Sequence, residues 1–130
     1  MLDTNIVSDL ISRPHGPIQQ RVDAVPPDSF AISVIVAAEL RYGIEKKRSP
    51  RLTRRIDELL SNLPVLPLDG DADRQYARLR ADLERKGTPI GGNDMLIAAH
   101  ALALGATLVT DNVREFSRVD GLTVENWLRD

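Results

Sequence analysis

The chain has 130 residues, 42% of them hydrophobic, which suits one domain with a buried core. It contains no cysteine and only two histidines, His15 and His100, so disulfides, thiol catalysis, Cys-ligated zinc and a His-rich metal centre are excluded. The net charge of -2 gives the whole molecule no long-range attraction to nucleic acid.

The elements alternate between strand and helix. Met1 to Thr4 reads as a short first strand, followed by a helix from about Asn5 to Ser12 and a break at Arg13-Pro14-His15-Gly16-Pro17. A second helix runs to Val25, and Ser29 to Ser33 alternates polar and apolar residues as a strand does. Helices follow over Val34 to Lys47 and Pro50 to Asn62, the latter with Leu52, Ile56, Leu59, Leu60 and Leu63 at helical spacing. Val65 to Leu68 is a short strand. Asp69-Gly70-Asp71 then caps a helix that reaches Lys86 and stops at Gly87. A helix over Asn93 to Leu104 ends at Gly105, Thr107 to Thr110 is an apolar strand, and Leu122 to Glu125 supplies an edge strand.

Short strands separated by helices need crossover connections, so the expected class is α/β, a three-layer α/β/α sandwich around a short, mostly parallel sheet in a single domain spanning residues 1–130. In such sheets ligands collect beyond the carboxyl ends of the strands, where the strand order switches direction. The N-terminus has no basic stretch leading into an apolar core of a signal peptide. The longest apolar stretch, Met95 to Val109, falls short of the roughly 20 residues that span a bilayer, so a soluble, cytoplasmic protein is expected.

Four acids stand out because each adjoins an apolar segment, where a carboxylate is costly unless something compensates for its lost water. Asp3 closes the first strand and Asp111 closes the strand Leu108-Val109-Thr110, which places both at one edge of the sheet. Glu39 is the only charged residue between Ser29 and Leu40, and Asp94 opens the helix MLIAAHALAL. Each also has a structural reading: Asp3 and Asp94 can cap helices, Glu39 can pair with an arginine, and Asp111-Asn112 can form a turn. Carboxylates gathered in one pocket repel, and such a cluster persists when divalent cations offset the charge. With only oxygen ligands on offer, magnesium or manganese is favoured over zinc, and the chemistry indicated is phosphodiester hydrolysis by an ion that activates water. No P-loop, GxGxxG or serine nucleophile constellation competes, and His100 on its apolar helix reads as a packed core residue.

Seven basic residues (Arg41, Lys46, Lys47, Arg48, Arg51, Arg54 and Arg55) face one acid, Glu45, between positions 41 and 55. A second series, Arg74, Arg78, Arg80, Arg85 and Lys86, has acids interspersed. Both are either solvated helix faces or phosphate-contacting surfaces.

The segments MLDTNIVSDL, SVIVAAELRYGIEK, TPIGGNDMLIAAHALALGATLVTDNVREFSRVDGL and VENW together resemble the PIN-domain ribonucleases, and within them the VapC-like toxins of bacterial toxin-antitoxin systems. The resemblance covers essentially the whole chain. It implies a magnesium-dependent endoribonuclease in which Asp3 and Asp94 bind the metal most directly and Glu39 helps hold the ion or position the attacking water. It also implies an RNA substrate such as tRNA or rRNA, a cognate antitoxin protein and a homodimer. Family members commonly carry a few more residues before Leu-Asp-Thr-Asn, whereas only Met1 precedes it here, so either the first strand is minimal or the native start lies upstream. Asp111 is taken as the fourth metal-binding acid, with Asn112 or Glu115 able to supply the same function, and Thr4, Asn5 and Thr110 as hydrogen-bonding supports. Two other readings stay open, a catalytically silent PIN-like interaction domain and a nuclease acting on DNA or flap structures.

Overall fold

The computed structural model describes residues 1–129. Among the described residues, seven helices and four short strands follow in the order α1 (Thr4–Ser12), α2 (Pro17–Asp23), β1 (Ile32–Ser33), α3 (Val34–Lys47), α4 (Pro50–Asn62), β2 (Val65–Leu66), α5 (Ala72–Lys86), α6 (Gly92–Leu104), β3 (Leu108–Val109), α7 (Val113–Phe116) and β4 (Val124–Glu125). The limits of α3 and α4 are those that sequence periodicity predicts. The strands are shorter than predicted: the first is cut back because α1 begins at Thr4, and the others keep only the two residues that pair, with Ser33 closing β1 and also serving as the N-cap of α3, accepting from the Ile35 N–H at 3.1 Å. Such a cap is worth about 1 kcal/mol.

Two parallel ladders, β1–β2 and β3–β4, are joined through the N-terminal segment. Leu2 bridges Val109 in parallel, and its N–H donates to the Ala31 carbonyl at 3.0 Å. The predicted first strand is thus reduced to a single bridging residue, yet it lies at the centre of a continuous sheet ordered β2, β1, N-terminal segment, β3, β4. Strand order reverses at that central segment, and the residue leaving its carboxyl end is Asp3.

Parallel crossovers are right-handed, so their direction of travel decides which face each helix covers. The chain moves one way from the N-terminal segment through β1 to β2, which places α1 to α4 on one face. It returns from β2 to β3, which places α5 and α6 on the other. The packing agrees: α1 lies against α2 and α3, α3 against α4, and α5 against α6. This is the expected three-layer arrangement. Leu2, Ile6, Ile32, Val36, Ile97, Leu108 and Phe116 are fully buried between the layers. Among the described residues no helix is long and apolar enough to cross a membrane.

His100 is buried, as its apolar surroundings predict, and its polar atoms are satisfied. Nδ1 lies 2.8 Å from Ser33 Oγ, and the ring also bonds the Pro67 carbonyl, which ties α6 to the start of α3. Burial lowers its pKa, keeping the imidazole neutral.

Candidate active site

The carboxyl edge of the central segments is built around Asp3. Its residue lies at the N-cap of α1, where Oδ1 accepts from the Thr4 N–H at 2.8 Å. Capping does not exhaust its role, because Oδ2 accepts from the buried Thr110 hydroxyl at 2.7 Å and from the Asn5 amide at 3.3 Å. Asp3 itself is buried, and burial raises its pKa in spite of those bonds, with the charges of Glu39 and Glu115 adding to the rise. Thr4, Asn5 and Thr110 therefore act as the supports that the sequence suggests.

Glu39 reaches the same edge from the second turn of α3. The Thr4 hydroxyl donates to its Oε1 at 2.6 Å, so one residue holds Asp3 through its backbone and Glu39 through its side chain.

Asp94 enters from α6, whose N-cap is Gly91 rather than the Asn93-Asp94 pair. The helix starts one residue earlier than predicted, leaving Asp94 in the first turn and free of any capping duty. Its carboxyl group hydrogen-bonds that of Glu115. Burial first, then this bond and the charges of Glu115, Asp3 and Glu39, push its pKa up to about 7.

Glu115 lies on α7, a one-turn helix too short for hydrophobic periodicity to mark. Burial acts to raise its pKa, but bonds from the Gly91 N–H at 2.9 Å, the Asn112 amide and the Asp94 carboxyl outweigh it and hold the group below its ordinary value. The two carboxyl groups therefore titrate as a pair, Asp94 raised and Glu115 lowered by their mutual bond. Gly91 is tightly placed, since a Cβ there would sit 3.3 Å from Asp94 Oδ2.

Asp111 is not gathered into this cluster, which corrects its assignment as the fourth acid. The strand β3 ends at Val109, Thr110 turns its hydroxyl to Asp3, and Asp111 turns outward. Its Oδ1 accepts from the Asn126 amide at 3.0 Å and from Arg129 Nε at 3.1 Å, and these two bonds lower its pKa. Only its backbone N–H returns to the site, donating to Asn5 Oδ1 at 3.0 Å. Asn112, whose amide donates to Glu115, leads the chain back inward. The gathered acids are Asp3, Glu39, Asp94 and Glu115.

This donor set is all oxygen, partly buried and mutually repulsive, which is the chemistry a hard divalent cation offsets. Among the described residues no three carboxylates converge on a single point in ligating geometry. They are satisfied in pairs instead, Glu39 by Thr4 and Asp94 by Glu115, bonds that a cation would replace. The residues fit such an ion by donor type, with Asp3 and Asp94 nearest the centre of the charge coupling.

A groove of about 260 Å³ runs from Thr4 and Glu39 between α1, α3 and α4, past Leu40, Gly43 and Ile44, to Lys47. The basic residues beyond it divide. Arg41 pairs with Asp57 at 3.0 Å and Arg55 bonds the Ile11 carbonyl, whereas Lys46 lies 6.0 Å over the ring of the exposed Tyr42. On α5 the acids interspersed in the second series engage it: Arg80 pairs with Glu84, and Lys86 with Asp82 and Asp120.

The PIN-domain family model matches residues 1–122, the whole span that carries the acids. The chain belongs to the PIN-domain family. Among similar PIN domains is Ribonuclease VapC2 of Rickettsia felis, 41% identical over 129 residues, with 98% of this chain and 96% of that protein covered. The tRNA(fMet)-specific endonuclease VapC of Salmonella typhimurium is 39% identical over 128 residues, again with 98% and 96% covered. In three dimensions this PIN domain superimposes on the crystal structure of VapBC2 from Rickettsia felis bound to a DNA fragment from their promoter. The TM-score is 0.91 at 40% identity, covering 98% of this chain and 97% of that one. The likeness places it with the VapC ribonucleases, as the sequence motifs imply.

Proposed function

We propose that this PIN domain is a magnesium-dependent endoribonuclease that hydrolyses RNA phosphodiester bonds and acts as the toxin of a toxin-antitoxin pair. The observation that carries the chemistry is the meeting of Asp3, Glu39, Asp94 and Glu115 at one sheet edge, with Asp94 pushed up to about 7 by burial and its neighbours. Asp3 and Asp94 would hold the ion, magnesium or in its place manganese, with Glu39 and Glu115 completing the oxygen set. When bound, the ion supplies positive charge to the phosphoryl oxygens and makes a water a better nucleophile at neutral pH. The chain's own part is positional. Thr4, Asn5 and Thr110 fix the Asp3 carboxylate. Glu39, with Oε1 held by Thr4, has Oε2 to orient the attacking water. Asn112 and the Gly91 N–H hold Glu115 against Asp94.

The biological setting rests on the relatives. One acts on tRNA(fMet), and a further similar structure, 32% identical with a TM-score of 0.64, is a member of the VapBC family of toxin-antitoxin systems from Mycobacterium tuberculosis. We carry over a structured RNA substrate, tRNA or rRNA, a cognate antitoxin protein and a homodimeric state as parts of this reading. The exposed Lys46 and the groove-lining Lys47 are the basic residues of α3 placed to meet RNA.

The test is side-by-side incubation of the purified chain with RNA, single-stranded DNA and flap DNA, in magnesium and in EDTA. Cleavage of RNA alone, abolished by EDTA, is the expected result. Preferential cleavage of DNA would establish the alternative nuclease, and inertness toward all three would establish a silent interaction domain.

A further inference from the structure

The segment after β4 leaves the sheet at the same carboxyl edge as Asp3, because β4 runs parallel to β3 beside the central segment. Asn126, Trp127 and Arg129 therefore emerge at the carboxyl edge of the sheet. Together with Pro17, Gln20 and Arg21 of α2 they line a cavity of about 240 Å³. The Arg21 guanidinium lies 5.3 Å from the centre of the Trp127 ring. Arg21 is exposed and has no carboxylate partner among the described residues. Arg129 is exposed as well, and its Nε bonds Asp111. Asp111 accepts from Asn126 too, and the Asn126 Oδ1 accepts from the Leu128 N–H at 2.9 Å. Asp111 in turn donates its N–H to Asn5, which donates to Asp3. A short run of hydrogen bonds thus fixes the C-terminal segment to the catalytic edge.

We propose that the Arg21–Trp127–Arg129 cleft binds the RNA strand next to the scissile bond, and that Asp111 is a positioning residue that latches this cleft to the carboxylate centre. The inference rests on the ribonuclease reading above. Its chemistry is that of single-stranded RNA: guanidinium edges take phosphate oxygens while the indole ring, with the Arg21 guanidinium over it, offers a face for a base. A protein partner is the less suited occupant, since two cations and one aromatic ring surround a polar cavity with few aliphatic groups. The arrangement also gives Asp111 a role consistent with its outward orientation.

Trp127 is the only tryptophan of the chain, so its fluorescence reports on the cleft directly. The experiment titrates a single-stranded oligoribonucleotide into the full chain carrying Asp94→Asn, so that the strand stays uncut, with and without Arg21→Gln. We expect saturable quenching of Trp127, about tenfold weaker binding in Arg21→Gln, and a salt dependence shallower by about one counterion. In the otherwise native chain, Arg21→Gln and Asp111→Asn should raise KM for RNA while kcat stays unchanged. RNA that is cleaved normally and binds both forms equally, with no change in Trp127 emission, overturns the cleft and leaves the ribonuclease reading standing. Emission that answers to an antitoxin peptide and not to RNA also overturns it. If the native chain neither binds nor cleaves RNA, both readings fall together.

Discussion

Asp94 and Glu115 share a hydrogen bond between their carboxyl groups, although one opens α6 and the other lies on a one-turn helix beyond β3. Two like charges hold that position only while one of them carries a proton or a cation lies beside them. This pair sets the pH behaviour of the site.

Asp94 titrates near 7 in the folded chain against an ordinary value of 3.8, so between those values the folded state holds a proton that the unfolded state has released. Stability therefore falls as pH rises through this window. In EDTA, the native chain should lose stability relative to Asp94→Asn from pH 6.5 to pH 8, across the upper end of this window. The Met1 amino group and His100, both lowered by burial, act with the opposite sign in native chain and variant alike, so the difference between the two chains isolates Asp94. Magnesium should raise the melting temperature more at pH 8 than at pH 6.5, because proton and cation compete for the pair. Thermal unfolding of both chains at the two pH values checks these statements, and a metal-free stability difference between them that does not change with pH would refute them.

Glu115 and Asp111 should separate cleanly in kinetics. Glu115→Gln removes a member of the acid cluster and should lower kcat for RNA by about a hundredfold or more, with the fold intact. The Asp111 variant should leave kcat within about threefold of the native value. Single-turnover cleavage at saturating RNA measures this, and the reverse ranking would restore Asp111 to the centre.

Gly91→Ala places a methyl group 3.3 Å from Asp94 Oδ2, at a backbone conformation open to alanine. The Asp94 carboxylate must yield by a few tenths of an ångström. Cleavage should fall by about tenfold, since small misplacements of reacting groups are costly, while the melting temperature changes little. Native activity in this variant would show that the carboxylate tolerates the displacement.

Arg48 ends α3 in the left-handed conformation, with φ 51, where a side chain is strained and glycine is not. Arg48→Gly should stabilise the chain by about 0.5–1 kcal/mol in urea unfolding without altering cleavage, because the strain relieved, about 1–2 kcal/mol, exceeds the entropy that glycine adds to the unfolded chain. A loss of stability would show that the arginine side chain contributes more than its backbone costs.

Much of the site is legible in the sequence for one physical reason: a carboxylate beside a run of buried apolar residues needs compensation. Asp3, Glu39 and Asp94 all carry that signature, and the structure brings them to one edge. The fourth acid escaped it because the direction of the chain after Val109 depends on a single turn. Thr110 faces inward, and Asp111 consequently faces out. A signal for Glu115 is present in the sequence, since Asn112 followed three residues later by Glu115 and then by the buried Phe116 has the spacing of a helix start with its reciprocal cap. The helices α3 and α4 are legible to the residue, because Ser33 and Ser49 supply caps and Pro50 fits the first helical position. The strands are overextended in a sequence reading, because apolar character continues past the two residues that form each ladder.

The most direct test of the account is magnesium-stimulated cleavage of RNA by the native chain and by Asp94→Asn, with circular dichroism confirming that both fold. Cleavage by the native chain only, dependent on magnesium, is the expected result. RNA cleavage by Asp94→Asn at the native rate would contradict it.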